Sequence, residues 1–498
     1  MRLQILLLLA LSFCRSLLFS QNAVPNPSKS DFAGTLSFLA SDWMEGRGAT
    51  QKGGFMASEY IASMMSLYQL KPYNSNSDYF QDFKIQEHTV KKAIFQIKKG
   101  KESISLSPET DFRVTPITKS LQEEAQVIFA GYGLSVPNEN YDDYKNQDVK
   151  NKIVVVLKGF PSHKDTTSIV YQKFKKQFPE ENNLEENKLQ TAINKGAIAL
   201  IIIDSKENFK QKSKEDEVFH SLETVSNLSI PIFKISKSSA EKLFAESKIS
   251  LETFEKKAAK LQPTSTLLKN TKINFSIELQ TETFPVRNVL GMIQGKDTTK
   301  MVIIGAHYDH LGIIKDSIYN GADDNASGAS GMLALAKKWS ESKTKPPYNM
   351  IFASWTAEEM GLLGSEYFVQ NFDFSKQKIL LSINMDMISR SAPEDKAHRV
   401  LSIGTEKENE NLRKMASEIN AKLQNPFALD LWETNGHSGS DYASFTAKGI
   451  PIMTFFSGFH DDYHSPNDKA SKVDFDKVKD VLFIVNNSLL KFLENQNN

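Results

Sequence analysis

The sequence contains one cysteine in 498 residues, and neither sign of charge is in excess. Because Cys14 lies within the first twenty residues, a chain that loses this segment has no disulfide, and a core or a bound metal must stabilise it. The 60 Lys and Arg residues equal the 60 Asp and Glu residues in number, so no basic field is available for holding nucleic acid. The lack of cysteine pairs excludes a disulfide-stabilised scaffold. The balance of charges gives no support to a nucleic-acid-binding protein.

The first twenty residues have the pattern of a secretory signal. Arg2 precedes an apolar run at residues 5–11. Arg15 interrupts the apolar residues well before the roughly 20 that cross a bilayer, so a membrane anchor is not predicted. We predict that residues 1–20 are a signal peptide, that the protein is periplasmic or secreted, and that no stable membrane insertion follows signal removal. Lipoprotein anchoring through Cys14 is disfavoured, because small residues are expected just before a lipidated cysteine.

The length of 498 residues and the mass of 56.0 kDa predict two or three domains. Within residues 28–120, apolar side chains between Met56 and Leu67 are spaced by three and four residues, which predicts a helix. A strand-rich stretch follows this helix. Residues 121–270 predict a separate β-rich insert, because charged linkers separate short apolar strands at 153–157, 197–203 and 230–235.

From residue 280 to 498, apolar strands alternate with helical patterns. Strands are predicted at 301–306, 350–354, 379–385 and 451–456, and helices at 326–339, 359–372 and 478–493. This alternation is typical of an α/β fold with a doubly wound, mostly parallel sheet.

Polar side chains follow each of these predicted strands. Sites in open α/β sheets lie at the carboxyl ends of the strands, so these side chains are expected to converge. Imidazole and carboxylate groups are the usual ligands of a hydrolytic zinc site. In chain order they are His307, Asp309, His310, Asp323, Asp324, Glu358, Glu359, Asp386, Tyr463 and His464.

Five motifs in this order resemble the co-catalytic dizinc aminopeptidase family, which also contains the glutamate carboxypeptidases. They are His-Tyr-Asp-His at 307–310, Gly-Ala-Asp-Asp-Asn-Ala-Ser-Gly at 321–328, Ala-Glu-Glu-Met-Gly-Leu-Leu-Gly-Ser at 357–365, Asn-Met-Asp-Met at 384–387 and Tyr-His-Ser-Pro-Asn-Asp at 463–468. The leader Leu-Ala-Ser-Asp-Trp-Met-Glu-Gly-Arg-Gly at 39–48 is similar to the segment that opens many members. The resemblance implies a zinc peptidase catalytic domain at 280–498, its N-terminal part at 28–120, and a protease-associated insert at 121–270.

The resemblance also implies a role for each matching residue. Two Zn²⁺ ions would be held by a set in which Asp324 is the bridge, His307 and Asp386 hold one ion, and Glu359 and His464 hold the other. Glu358 matches the general base that takes a proton from the metal-bound water, Asp309 matches the residue that orients the His307 ring, and Tyr463 matches the donor to the developing oxyanion. We therefore predict an exported dizinc aminopeptidase that acts on peptides.

Three other functions remain open from the sequence. A carboxypeptidase of the same family needs a cationic clamp, and Arg390 follows Asp386 by four residues. A glutaminyl cyclase uses one zinc ion, and a non-catalytic receptor-like protein has lost its ligands, whereas all five are intact here. Acidic residues around the motifs outnumber Arg390, and an acidic surrounding favours the ammonium group of an aminopeptidase substrate.

The remaining polar residues near the motifs are given structural interpretations. His310, His437 and His460 are interpreted as structural, and Ser440 with Asp441 as a pair that orders a loop. Asp323 is interpreted as the cap of the helix that follows it, since Asp at a helix start accepts backbone N–H bonds.

Overall fold

The computed structural model describes residues 24–496, except for 74–77, 109, 115–116, 179–180, 205–217, 225–229, 246, 248, 263–264 and 435–438. At 181–183 only the backbone is described. The predicted signal peptide, Cys14 and His437 therefore lie outside the described residues. Within the described part, no helix combines the length and the apolar character needed to cross a membrane.

The chain forms two compact units. The first comprises Phe284–Asn498 together with the chain up to Ile85, and the second comprises Gln86–Thr283. The predicted insert at 121–270 lies within the second unit. Its proposed limits stay a prediction.

The helices and strands of the described residues are as follows, in chain order. The helices are α1 (Lys29–Leu39), α2 (Lys52–Leu67), α3 (Ile169–Gln177), α4 (Glu181–Asn194), α5 (Lys237–Phe244), α6 (Leu251–Ala258), α7 (Gly328–Ser340), α8 (Leu363–Gln370), α9 (Glu410–Asn420), α10 (Tyr442–Thr446) and α11 (Phe475–Asn495). The strands are β1 (Lys71–Pro72), β2 (Phe80–Lys99), β3 (Glu102–Leu106), β4 (Phe112–Val114), β5 (Leu121–Phe129), β6 (Ser135–Val136), β7 (Tyr141–Asp142), β8 (Ile153–Leu157), β9 (Ala199–Ile203), β10 (Val218–Leu222), β11 (Ile232–Ile235), β12 (Thr266–Ile293), β13 (Asp297–His307), β14 (Gly312–Ile314), β15 (Ser317–Tyr319), β16 (Tyr348–Trp355), β17 (Lys378–Met385), β18 (Val400–Thr405), β19 (Ala428–Glu433) and β20 (Ile452–Phe456).

The first unit is built on a mostly parallel sheet with the strand order β19-β18-β20-β17-β13-β16-β12. Strand β13 pairs in parallel with both β16 and β17, and β17 pairs in parallel with β20. All eight residues of β16 are buried, which explains its largely apolar sequence. Apolar faces of α1, α2, α7 and α11 share one core with these strands. The predicted fold class, a doubly wound mostly parallel α/β sheet, is confirmed.

The second unit has its own set of paired strands and its own core. Strands β5, β8, β9 and β11 lie side by side in parallel, and β4 is antiparallel to β11 at the edge. Every residue of β8 and β9 is buried, so these two short strands form the centre of the core. The buried residues of its main hydrophobic core all lie between Phe95 and Ile277, which is consistent with a unit that folds around its own core.

The helix predicted at 359–372 begins later than expected, at Leu363. Ala357 and Leu362 both have positive φ, which winds residues 357–362 into a turn rather than a helix. This turn places two neighbouring glutamates at the carboxyl end of β16.

Candidate metal centre and active site

The candidate site lies at the carboxyl edge of the parallel strands of the first unit. His307 is the last residue of β13, Asp386 comes directly after β17, and Glu358 follows β16 by three residues. Asp324 lies in the irregular turn Ala322–Ser327 that precedes α7, and His464 lies in the loop after β20. Because β13, β16, β17 and β20 are parallel, their carboxyl ends meet at one edge, and side chains distant in sequence become neighbours.

The first group of candidate ligands consists of His307, Asp324 and Asp386. The His307 Nε2 atom is 3.2 Å from Asp386 Oδ1 and 3.5 Å from Asp324 Oδ1. The Ser440 hydroxyl donates a 2.7 Å hydrogen bond to the other oxygen of Asp386, Oδ2. One oxygen of Asp386 is thereby held, and the other faces His307.

The second group contains His310, Asp324, Glu359 and His464. The His464 Nε2 atom is 3.2 Å from Asp324 Oδ2 and 3.1 Å from Glu359 Oε2. His310 Nδ1 is 2.7 Å from Glu359 Oε1 and 3.6 Å from Asp324 Oδ2. Asp324 thus turns one carboxylate oxygen toward each group, which is the arrangement a bridging carboxylate requires.

The donor set fits metal ions of the zinc type. In each group, one nitrogen or oxygen atom from every residue lies within 4.8 Å of the corresponding atoms of the others. Imidazole nitrogen and carboxylate oxygen are the ligands that zinc takes in hydrolytic sites. Asp324 is 4% exposed, so its negative charge is shielded from water and needs a compensating cation.

Burial and mutual interaction shift the pKa values of these groups in opposite directions. Burial opposes ionisation of Glu359, but hydrogen bonds from His310 and His464 outweigh it and hold the pKa of Glu359 below its usual value. Burial acts against the His464 cation, yet the partners Asp324 and Glu359 raise the pKa of His464 to about 10. The second group is therefore arranged to keep Glu359 as an anion, the form that binds a metal.

Glu358, the predicted general base, lies beside the first group. Its Oε2 atom is 3.9 Å from His307 Nε2, and its side chain is 13% exposed. Burial raises the pKa of Glu358 well above its usual value, and the neighbouring carboxylate of Asp386 raises it further. A carboxyl group in such surroundings can accept a proton at neutral pH more readily than an exposed glutamate.

Asp309 contacts His307 differently from the implied arrangement. Its backbone oxygen is 3.1 Å from His307 Nδ1, whereas its carboxylate Oδ1 is 3.9 Å from the same atom. Oδ1 instead accepts a 3.2 Å hydrogen bond from the backbone N–H of Glu358. The main chain of Asp309 therefore orients the histidine, and its side chain holds the turn that carries Glu358.

Tyr463 lies where the site is most exposed. Its ring stacks on His464 with centroids 3.8 Å apart, and the ring of Phe459 packs against it at 4.8 Å. Tyr463 is 38% exposed and Phe459 is 58% exposed, and His464 is exposed as well, whereas His307, His310 and Asp324 are buried.

Two interpretations from the sequence change at this point. His310 was interpreted as structural, but its Nδ1 contacts Glu359. Asp323 does not cap α7, because its carboxylate accepts the backbone N–H groups of Ser389 and Arg390. The backbone N–H at the start of α7, that of Gly328, is bonded instead by the side chain of Asn325.

Sequence reasoning missed the residues that hold the ligand loops. The Asp468 carboxylate accepts hydrogen bonds from the backbone N–H groups of Asp323 and Asp324, at 2.9 and 3.1 Å. Asp468 closes the Tyr-His-Ser-Pro-Asn-Asp motif, so its position beside His464 in that motif was the available signal. The adjacent residues Ser440 and Asp441 were interpreted from the sequence as a pair that orders a loop. Nothing in the sequence indicated that Ser440 would contact Asp386.

Arg390, the candidate clamp for a substrate carboxylate, is already paired. Its guanidinium is 2.7 Å from Asp462 Oδ2 and 3.5 Å from Asp468 Oδ1, and its side chain is 14% exposed. The positive charge of Arg390 is thus already compensated by the carboxylates of Asp462 and Asp468.

Comparison with known proteins agrees with these observations. Residues 288–488 match the model of peptidase family M28, and residues 123–243 match that of the PA domain. "Probable leucine aminopeptidase 2" of Aspergillus fumigatus is 30% identical over 192 residues, which cover 37% of this chain and 36% of that protein. "Probable glutamate carboxypeptidase" of Arthroderma benhamiae is 31% identical over 206 residues, covering 38% of this chain and 26% of that protein. The matched region is thus well under two thirds of either relative.

Among solved structures, an aminopeptidase from Aneurinibacillus sp. strain AM-1 aligns over 94% of both chains with a TM-score of 0.55 at 18% identity. At this level of identity the likeness is one of fold.

Proposed function

We propose that this chain, which belongs to peptidase family M28 and carries an inserted PA domain, is an exported dizinc aminopeptidase. The observation that carries the proposal is the position of Asp324, whose two carboxylate oxygens face the two groups of candidate ligands. A carboxylate shared in this way suits a pair of ions rather than one. This also disfavours a glutaminyl cyclase, which would use a single zinc ion.

In the proposed centre, His307 and Asp386 would hold one ion, Glu359 and His464 would hold the other, and the Asp324 carboxylate would be shared between the two groups. The ions would supply Lewis acidity, which lowers the pKa of a bound water and polarises the scissile carbonyl. The protein's own part is to fix these side chains, and Ser440 and Asp468 do so through Asp386 and the Asp324 backbone.

Glu358 moves the proton. Its carboxylate Oε2 accepts a proton from the attacking water and then returns it to the nitrogen of the leaving amine. The bond from the Glu358 backbone N–H to Asp309 holds the glutamate in place while its side chain acts. Glu358 has no ligand role in this proposal.

Tyr463 binds the substrate carbonyl. Its hydroxyl would donate a hydrogen bond to the carbonyl oxygen as negative charge develops there, and such donors contribute about 3 kcal/mol to transition-state binding. Stacking on His464 limits the ring to a small range of orientations.

Cleavage from the amino end is supported by the charges around the site. An ammonium group prefers acidic surroundings, and carboxylates greatly outnumber cations there. A carboxypeptidase would need a free cationic clamp, whereas Arg390 is paired with Asp462 and Asp468. The exposed rings of Phe459 and Tyr463 suit an apolar first residue.

Export is proposed from the composition of residues 1–20 alone. Arg2 followed by a short apolar run is typical of a secretory signal. Mass analysis of protein recovered from outside the cytoplasm, showing loss of about twenty residues, would test it.

The proposal is tested with three matched compounds: leucine amide, N-acetyl-leucine amide and N-acetyl-Leu-Leu with a free carboxyl group. An aminopeptidase cleaves the first and not the other two. Rapid cleavage of N-acetyl-Leu-Leu would instead favour the carboxypeptidase. Metal analysis of the active protein should give close to two zinc ions per chain, and one or none would contradict the dizinc centre.

A further inference from the structure

Arg47 is an arginine with no exposed surface, and every polar contact of its guanidinium is with a backbone oxygen. The Nε atom donates to Tyr308 O at 2.7 Å. Nη1 donates to Leu39 O at 2.7 Å and to Asn320 O at 2.6 Å, and Nη2 donates to Gly321 O at 2.8 Å and to Asp324 O at 3.4 Å. One side chain thus joins three separate segments of the first unit.

Two of these segments carry candidate metal ligands. Tyr308 lies between His307 and Asp309, and Asp324 is the proposed bridging residue. The guanidinium therefore holds the backbone of the β13 end and of the turn before α7 at a fixed separation. It contacts none of the ligand side chains, so any effect on the ions must be exerted through the backbone.

The charge of Arg47 is retained in this position. Burial lowers the pKa of Arg47 to about 10, and the negative charges of Asp324, Asp468 and Asp309 oppose that shift. A buried cation without hydrogen bonds would be strongly destabilising, and here five carbonyl oxygens satisfy the donors of the guanidinium. Lysine has neither the planar fork nor the number of donors to replace it.

The turn that presents Arg47 fits closely against its surroundings. Glu45, Gly46 and Arg47 all have positive φ, which is favourable only for the glycine. A Cβ atom at Gly46 would lie 2.4 Å from Tyr319 O and 2.6 Å from Gly312 O, which belong to the hairpin β14–β15. Glycine is therefore required for this turn to reach the position from which Arg47 extends.

We propose that Arg47 is a positioning residue of the metal centre, which sets the distance between the His307 segment and the Asp324 turn. The N-terminal segment that contains it is then part of the centre, although every candidate ligand lies after residue 306. This inference rests on the proposed function, because it requires that metal ions bind between these segments.

Arg413 provides a matched control in the same unit. It is 6% exposed, and its guanidinium bonds to Thr405, to the backbone oxygens of Glu406 and Trp432, and to the carboxylate of Glu433. It contacts no candidate ligand. Variants of Arg413 therefore report the effect of losing a buried, carbonyl-bound guanidinium without disturbing the metal segments.

The experiment compares Arg47→Lys and Arg47→Gln with Arg413→Lys and Arg413→Gln in the full chain. Zinc dissociation constants are measured by chelator competition, the visible spectrum is recorded after cobalt substitution, and Tm is measured for each metal-free protein. We expect the Arg47 variants to bind zinc about 10-fold to 100-fold more weakly, with an altered cobalt spectrum. The Arg413 variants should lose Tm but keep the wild-type dissociation constants within about twofold, as expected of a site with no link to the metals.

Equal zinc affinity in folded Arg47 variants and in the Arg413 variants would overturn the proposal. If Arg47→Gln does not fold, Arg47→Lys decides, and Gly46→Ala, which keeps the arginine but displaces its turn, should also weaken zinc binding. Failure of all three to fold while the Arg413 variants fold would reduce Arg47 to a structural role and overturn the proposal as well. A wild-type protein that binds no zinc would contradict the proposed function itself, which is a separate outcome.

Discussion

The Nδ1 atom of His310 lies 2.7 Å from Oε1 of Glu359, and the imidazole side chain is fully buried. His310 also approaches Asp324 Oδ2 to 3.6 Å, and its ring meets the ring of His464 edge to face at 5.7 Å. Its other nitrogen, Nε2, has no hydrogen-bond partner among the described residues. The closest contact of His310 in the second group is thus with Glu359, whose orientation it can fix.

Replacing His310 with alanine should weaken zinc binding by about tenfold or more, because Glu359 loses the partner that fixes its orientation. The measurement is a zinc titration with a competing chelator. His88→Ala is the control, since His88 is also buried but lies in the second unit and belongs to neither ligand group. Equal losses in the two variants would mean that His310 acts only through the stability of the fold.

Glu358→Gln should keep both ions and reduce kcat by about 10²-fold to 10⁴-fold, because glutamine cannot carry the proton. Glu359→Gln should instead lower the zinc content, since it removes a ligand charge from the second group. Both variants are measured for zinc by elemental analysis and for turnover of leucine amide. Loss of zinc from the Glu358 variant would show that the roles of the two neighbouring glutamates have been exchanged.

The fold was predictable because its strands are buried on both faces. Strands β16 and β13 contain continuous apolar runs at residues 350–353 and 301–306, a pattern that stands out against the polar loops. The start of α8 was not predictable in the same way, since the positive φ angles at Ala357 and Leu362 arise from the packing of the turn. Sequence pattern therefore locates elements better than it locates their ends.

Within the site, the residues that follow strands could be predicted, and those that act through the backbone could not. His307 and Asp386 are marked by strand ends. Arg47 precedes its partner Asp324 by 277 residues, and only the folded chain brings the two together. The carboxylate of Asp309 shows the limit of carrying over a role by motif, because it bonds the Glu358 backbone while its own backbone oxygen contacts His307.

Asp31 should make the stability of the first unit depend on pH. Burial opposes its ionisation, but hydrogen bonds from Lys337 and Ser28 outweigh burial and hold the pKa of Asp31 below its usual value. In the unfolded chain the carboxyl group takes up a proton near pH 4, whereas in the folded chain it stays ionised to lower pH. Lowering the pH therefore favours the unfolded state, and the stabilisation is complete above about pH 5 and lost progressively below about pH 4.

Asp31→Asn should accordingly lower Tm at pH 7, by an amount that corresponds to about 2 kcal/mol for hydrogen bonds to a charged group. The difference from wild type should shrink as the pH falls to 3. Asp316→Asn, at an exposed position, is the control and should show no such trend. A Tm difference for Asp31→Asn that is independent of pH would contradict the explanation by linkage.

Removal of the second unit should leave the metal centre intact. Among the described residues of Gln86–Thr283, none belongs to a ligand group and none contacts Arg47, and that unit has its own core. A chain in which a short glycine-rich linker joins Ile85 to Phe284 should therefore fold, bind zinc with wild-type affinity and cleave leucine amide, because so small a substrate needs only the centre itself.

We expect the deletion variant to differ from the full chain in its preference among longer peptides. The ratio of cleavage rates on a series of peptides measures this preference. The contrary result would be a deletion variant that has the circular dichroism of a folded α/β protein and yet binds no zinc. That result would mean that the second unit supports the metal centre, and the prediction that the centre is independent of this unit would be wrong.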